Sequence, residues 1–206
     1  DISGNDHIYE SVILTDDTLL VVGDSGTEFA LARYLSDGNL DPSFHTDGIL
    51  TTDVTTAADS IKQVVVDAEG RYAVGGTANG DFAMARYWSD GTLDTSFATD
   101  GTVTANVAGG DVGSGMTQHP DGGFVVIGQS GVPRMALARF LSEGRLETSF
   151  HTDGKVAHGT FQIGHDVRVD SENRILGVGQ NSGAIARWLA DGTMDTSFHT
   201  DGGNTN

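Results

Sequence analysis

The stretch DFAMARYWSDGTLDTSFATDG, residues Asp81–Gly101, decides the fold because three similar stretches accompany it in the same chain. The other copies begin at Phe29, Met135 and Ala184. The arginine that every copy contains falls at Arg33, Arg86, Arg139 and Arg187. Successive arginines are therefore 53, 53 and 48 residues apart. Repeats of this period predict stacked supersecondary units.

Each repeat consists of short apolar segments separated by turns in which an acidic residue precedes glycine. In the second repeat the segments are SIKQVVVD at 60–67, RYAVGG at 71–76 and DFAMARYW at 81–88. Glycine enters the left-handed backbone region without steric cost, so this pattern is typical of β-hairpins. The turn between the first two segments carries, in every repeat, a residue type that tolerates a positive φ. These residues are Asp17, Gly70, Gly122 and Asn173.

The size of the repeat selects the architecture. Three to four short strands in a unit of about 52 residues predict one blade of a β-propeller, whose blades surround an axis. The competing β-solenoid is built from shorter coils. The predicted fold class is therefore all-β, with residues 1–206 forming a single propeller domain of four blades.

The two termini join without interrupting the repeat. Residues 203–206 followed by residues 1–17 make a connection of 21 residues, as long as the connection at 102–122. The chain therefore contains a whole number of repeats. Three arrangements are compatible with that number: four blades closed in one chain, eight blades closed by two chains as a homodimer, or part of a longer propeller.

Composition and charge exclude several function classes. The formal net charge of −18 opposes non-specific binding to nucleic acid or to an anionic membrane, since both require a basic surface. The chain has no cysteine, which excludes a disulfide framework and a thiolate zinc site. No apolar run approaches the length of a membrane span. We expect a protein that neither binds nucleic acid nor inserts into a membrane, and the absence of cysteine fits an extracellular or cell-surface bacterial protein.

The repeated arginine is predicted to belong to the scaffold. Eight residues after it, every copy has an acidic residue, and the third copy keeps the charge although aspartate becomes glutamate. These partners are Asp41, Asp94, Glu147 and Asp195. Because a partly buried arginine needs a carboxylate partner, the spacing predicts an ion pair in each blade.

The Thr-Asp-Gly turns form a second repeated set, with aspartates at Asp47, Asp100, Asp153 and Asp201. An aspartate at such a position is typical of an Asx-turn, in which the carboxylate accepts a nearby backbone N–H. The spacing is not that of an EF-hand loop. We therefore predict no cofactor; calcium is compatible with these turns, but no specific pattern requires it.

No catalytic signature is present: the chain lacks GxSxG, HExxH, P-loop and dinucleotide-binding glycine motifs. A functional site in a repeat protein should break the repeat, so the exceptional positions are the candidates. Trp88 stands where the other copies have leucine, and the segment HGTFQIGH at 158–165 contains two histidines. The predicted ligand-binding residues are Trp88, Trp188, His158 and His165. No catalytic or metal-ligating residue is predicted.

These repeats resemble the delta-60 repeat, a bacterial β-propeller family whose motif is approximately DFALARYxxDGxLDxSFGxxG. Residues 81–101 match it almost position for position, and the other copies match at 29–48, 135–154 and 184–202. The chain departs from the motif by having His or Ala where the family usually has Gly after Ser-Phe. The resemblance implies a propeller within large secreted or surface-attached proteins, and it implies no established activity.

The expected function is a non-enzymatic binding or adhesion module that recognises a protein or glycan at the cell surface. A lectin-like form would hold sugars between blades against Trp88 or Trp188. The alternative is an extracellular hydrolase or lyase that acts through Asp and His side chains on one face of the propeller.

Overall fold

The computed structural model describes residues 6–131, 134–158, 163–180 and 185–198, together with the backbone of the strand 203–204. These residues form sixteen strands in four sheets, and each sheet is an antiparallel meander of four strands consecutive in the chain. The prediction of an all-β propeller with four blades is confirmed. The described ranges contain no helix, and hence none that could span a membrane.

The strand bounds follow the repeats. Blade 1 comprises β1 (Asp6–Ile13), β2 (Leu19–Ser25), β3 (Glu28–Tyr34) and β4 (Ile49–Thr52). Blade 2 comprises β5 (Asp59–Val66), β6 (Tyr72–Ala78), β7 (Asp81–Tyr87) and β8 (Thr102–Ala105). Blade 3 comprises β9 (Val112–Gln118), β10 (Phe124–Gln129), β11 (Met135–Phe140) and β12 (Lys155–His158). Blade 4 comprises β13 (Ile163–Val169), β14 (Ile175–Gln180), β15 (Ile185–Trp188) and β16 (Gly203–Asn204).

The turns between the first two strands of each blade have the predicted left-handed backbone. The φ values are 63° at Asp17, 77° at Gly70, 89° at Gly122 and 61° at Asn173. Two of these positions are occupied by non-glycine residues, which are Asp and Asn because short polar side chains tolerate this region best.

The first strand of each blade is its innermost strand. β1 contacts β5, β5 contacts β9 and β9 contacts β13, so that these strands follow one another around the axis. Each of them contains a β-bulge, at which one residue is left unpaired with the second strand. The four bulged residues are Tyr9, Lys62, Ser114 and His165.

The core lies between the blades. Separate hydrophobic clusters join blade 1 to blade 2, blade 2 to blade 3, and blade 3 to blade 4. Leu31 and Val74, for example, are members of the first cluster, and Ile127 and Val167 of the third. No cluster among the described residues joins blade 4 to blade 1. The described part of the chain is therefore an arc of four blades with three interfaces.

Candidate functional site

The repeated arginines are structural, as their spacing predicts. In blade 2, Arg86 is buried and its Nε donates to Asp94 Oδ2 at 2.7 Å. The corresponding N–O distance is 2.7 Å for Arg33–Asp41, 2.9 Å for Arg139–Glu147 and 2.7 Å for Arg187–Asp195. These guanidinium groups are committed to carboxylates within their own blades and are removed from the candidate ligand site.

The same arginines also tie consecutive blades together. Arg33 Nη1 donates to the carbonyl oxygen of Ser89 at 2.6 Å, and Arg86 Nη1 donates to that of Ser142 at 2.7 Å. Arg139 Nη1 makes the third such bond, to Ala190 at 3.1 Å. Each acceptor lies in the turn after the third strand of the next blade, so one arginine stabilises both its blade and an interface.

The Thr-Asp-Gly turns are Asx-turns wherever the structure describes them. Oδ1 of Asp47, Asp100 and Asp153 accepts the backbone N–H two residues later, at 3.1 to 3.3 Å. Asp201 lies outside the described residues. Within the described ranges, no three His, Asp or Glu side chains are arranged to hold a metal ion.

The two tryptophans occupy different environments. Trp88 is 45% exposed at the end of β7, where Arg71 lies 5.8 Å from its ring centre. Trp188 is completely buried in the cluster between blades 3 and 4, at the register position of Tyr87 and Phe140. A ring in that position packs against the preceding blade and has no face open to a ligand.

The two candidate histidines lie at opposite edges of neighbouring sheets. His158 ends β12, the outermost strand of blade 3, and its ring lies edge-on to Trp188 at 6.4 Å. His165 lies on β13, the innermost strand of blade 4, and is exposed. The residues 159–162 that connect them are outside the described set. His158 thus contributes to packing between blades, whereas His165 faces solvent.

His165 belongs to the set of bulged residues, and the other members were missed by the sequence analysis. None of the four bulged side chains is buried. The ammonium of Lys62 lies 3.1 Å from the centre of the Tyr9 ring, which brings the bulges of blades 1 and 2 together. A bulge redirects a side chain relative to the strand, and bulges are enriched beside functional sites.

A carboxylate follows the bulge in blade 1. Glu10 accepts a hydrogen bond from Gln63 Nε2 at 2.6 Å and another from the backbone N–H of Val64 at 2.5 Å. Burial raises the pKa of Glu10 above its ordinary value, although the Val64 hydrogen bond and the charge of Arg168 act in the opposite direction. This carboxylate therefore joins blade 1 to blade 2, and the charge of Arg168 in blade 4 acts on its pKa.

Further polar groups surround the bulged residues. In blade 4, Arg168 Nη1 donates to Asp166 Oδ1 at 2.5 Å. In blade 1, His7 Nδ1 lies 2.9 Å from Asp24 Oδ2, and its ring stacks on Tyr9 at 6.1 Å. We call the bulged residues and these polar neighbours, Glu10 included, the axial site. It combines aromatic, cationic, hydroxyl and carboxylate groups.

A comparison of the first strands would have revealed the axial site. The bulged position is Tyr, Lys, Ser and His in successive repeats. The third strands, by contrast, repeat almost unchanged. The sequence analysis concentrated on the strongly repeated stretch, which is scaffold, and so identified His165 alone.

Comparisons with known proteins agree on the fold. A family model described as "Domain of unknown function (DUF5122) beta-propeller" matches residues 14–44, 68–97, 119–150 and 173–198. These four segments cover more than half of the chain, one in each blade. None of the curated proteins matches the chain in sequence.

Several solved propellers are similar in structure. Virginiamycin B lyase from Staphylococcus aureus, in a catalytically inactive form with quinupristin, is 11% identical with a TM-score of 0.60, and the match covers 91% of this chain and 54% of the lyase. A gluconolactonase from Xanthomonas campestris is 12% identical with a TM-score of 0.53, covering 96% of this chain and 61% of the enzyme. The Dos1 propeller is 13% identical with a TM-score of 0.54, covering 89% and 45%. At these identities the likeness concerns the fold, and this chain spans 45% to 61% of each relative's length.

Proposed function

Because this chain belongs to the DUF5122 β-propeller family, a family of unknown function, we propose from its geometry that it is a non-enzymatic binding module. Its ligand site is the axial site along the innermost strands. The partner is a glycan or protein at the cell surface, and the module belongs to a secreted or surface-attached bacterial protein. The absence of cysteine and the resemblance to the delta-60 repeat support this location.

One observation carries the proposal: the bulge is repeated in all four blades while its side chain changes each time. The four blades thus present Tyr9, Lys62, Ser114 and His165 from the same backbone geometry. Side chains that pack the core are instead kept similar from repeat to repeat. Function in a common fold resides in such locally varied positions on a constant scaffold.

The chemistry of the axial site suits a neutral polar ligand. It offers hydrogen-bond donors in Lys62 and Ser114, an acceptor in Asp166, and the partly exposed ring of Tyr9. Ligand sites commonly combine aromatic surface with a few convergent polar groups. The net charge of −18 disfavours polyanionic partners.

The lectin-like form of this proposal uses a second surface, at Trp88 after the third strand of blade 2, and not the axial site or Trp188. The ring of Trp88 is partly exposed and can stack on an apolar sugar face, as amphipathic aromatic side chains do at binding surfaces. The buried ring of Trp188 supports no such contact.

A second candidate, a hydrolase or lyase, is favoured by one observation. Burial raises the pKa of Glu10, and a carboxyl with a raised pKa is a feature of general acids in active sites. Among the structural relatives are a lyase and a gluconolactonase. Against this candidate, both carboxylate oxygens of Glu10 already accept hydrogen bonds between blades.

The two functions are separated by combining a glycan array with a hydrolase and lactonase panel. For the binding module we expect saturable binding to a defined glycan or surface protein, and no turnover. Lys62→Ala and His165→Ala should each weaken that binding about tenfold, since each removes a hydrogen-bonding group from the axial site.

Arg145→Ala is the matched control because Arg145 is exposed and lies in a turn of blade 3 away from the innermost strands. It should leave binding unchanged. Turnover of a panel substrate that disappears in Glu10→Gln would contradict the binding module and establish the enzymatic candidate.

A further inference from the structure

A phenylalanine beneath a turn glycine closes each described interface between blades. A Cβ atom placed on Gly91 would lie 2.9 Å from the Phe44 ring of the preceding blade. The corresponding distance is 2.8 Å for Gly144 and Phe97, and 3.0 Å for Gly192 and Phe150. The three phenylalanines are buried. Only glycine allows this approach of turn and ring.

Two hydrogen bonds accompany each phenylalanine. The first is the bond from the repeated arginine to a turn carbonyl of the next blade. The second joins the backbone N–H after the phenylalanine to the carbonyl of the acidic residue in the same turn. Its three instances, each 2.5 Å, are His45 to Asp90, Ala98 to Glu143, and His151 to Asp191.

Blade 1 presents the accepting half of this interface without a partner among the described residues. A Cβ atom on Gly38, the equivalent of Gly91, would meet nothing within 4 Å. Ile8 is 67% exposed, whereas Ile61, at the same register position in blade 2, is completely buried. Ile13, at the end of the same strand, is also exposed. We call this side of blade 1, with Ile8, Ile13, Tyr34 and the turn 36–38, the leading face.

Blade 4 presents the donating half. Phe198 is 37% exposed, whereas its three equivalents are buried. Arg187 pairs with Asp195 in its own blade, but within the described ranges it donates to no turn carbonyl of another blade. We call this side of blade 4, with Arg187 and Phe198, the trailing face.

The two faces are complementary, because the interface that joins them occurs three times inside the chain. The trailing face supplies a phenylalanine and a guanidinium, and the leading face supplies an open glycine turn with carbonyl acceptors. We infer that two copies of this chain assemble head to tail, with the trailing face of each copy covering the leading face of the other.

The size of the arc favours two copies. Two arcs of four blades give eight, which lies within the range of known propellers, whereas three arcs would exceed it. A head-to-tail interface closes into a ring when its rotation completes a full turn.

Sedimentation equilibrium of the full 206-residue chain tests this inference. Because each copy carries a net charge of −18, the measurement is made at physiological salt, where repulsion is screened. We expect a mass twice the monomer value of 21.5 kDa at micromolar concentration. Ile8→Asp should raise the dimer dissociation constant at least about tenfold, because it places a charge in an apolar interface.

Val112→Asp is the matched control, since Val112 is also exposed on a first strand but lies in blade 3, away from both faces. It should leave the dissociation constant unchanged, and circular dichroism verifies that both variants are folded. A mass of 21.5 kDa at every concentration would overturn the inference. A dimer equally stable in Ile8→Asp would also overturn it, because association would then use another surface.

Discussion

At the scale of the residue, three non-glycine residues have a left-handed backbone conformation that the interfaces between blades stabilise. His45, Ala98 and His151 have φ values of 54°, 53° and 54°. Each donates its N–H to the carbonyl of the next blade, so the interface determines the conformation. The sequence alone revealed that these residues replace the glycine usual in the family. It could not reveal the compensating bond, because the acceptor lies 40 to 45 residues away in the chain.

The repeated arginine gives the first prediction. Arg86→Met should lower the free energy of unfolding by about 3 kcal/mol, because it leaves the buried Asp94 without its charged partner. It also removes the bond from blade 2 to the Ser142 carbonyl of blade 3. Urea denaturation followed by circular dichroism measures the change.

Arg145→Met serves as the control for that substitution. Arg145 pairs with Glu143 at the surface, where ion pairs contribute little. If Arg86→Met were no more destabilising than Arg145→Met, the repeated arginines would not be scaffold and would return to the candidate binding residues.

At the scale of the element, the strands were predictable, including the first strand at 60–67 that the structure has as Asp59–Val66, whereas the bulges in the first strands were not. The third strands repeat nearly unchanged, because they pack on both neighbouring blades and carry the arginine. The first strands contain a bulge, at which two residues oppose one, so the alternation of inward and outward side chains breaks. For that reason Tyr9 and Lys62 escaped the sequence analysis, although they lie in the most varied segment of the repeat.

The glycine turn gives the prediction at this scale. Gly91 and Gly70 both have a positive φ, but a Cβ on Gly70 would meet nothing within 4 Å, whereas one on Gly91 would meet Phe44. Gly70→Ala should therefore cost about 1 kcal/mol of stability from backbone strain alone. Gly91→Ala should cost roughly 1 to 3 kcal/mol more, because it also overpacks the interface.

Thermal and urea denaturation of the two variants provide the comparison. Equal losses of stability would mean that the approach of the Phe44 ring to the turn contributes nothing to the interface between blades 1 and 2. The argument for the leading and trailing faces would then lose its geometric basis.

At the scale of the whole molecule, the sequence predicted the number and kind of blades. Only the structure shows which faces of the first and last blades are left uncovered. The period and the turn residues determine the blade, because both are local properties. Closure depends on whether blade 4 reaches blade 1, which local patterns do not encode. Ile8 is exposed and Ile61 is buried, although both are isoleucines in similar first strands. The difference shows that the leading face of blade 1 is uncovered, whereas the same side of blade 2 is covered by blade 1.

Only part of the candidate site was predicted, because its assembly also depends on contacts between blades. Comparing repeats finds residues that differ, but it does not tell which of them lie together. His165 proved to lie on an innermost strand, whereas Trp188 and His158 differ from their equivalents because they pack against each other between blades 3 and 4.

The most direct test is cross-linking between copies, which the absence of native cysteine makes specific. Ser36→Cys on the leading face and Thr196→Cys, at an exposed position beside Phe198 on the trailing face, are prepared as separate variants, mixed, and treated with a short thiol-reactive cross-linker. We predict a covalent product of twice 21.5 kDa in the mixture and none in either variant alone. A mixture of folded variants that yields no such product would contradict the head-to-tail ring.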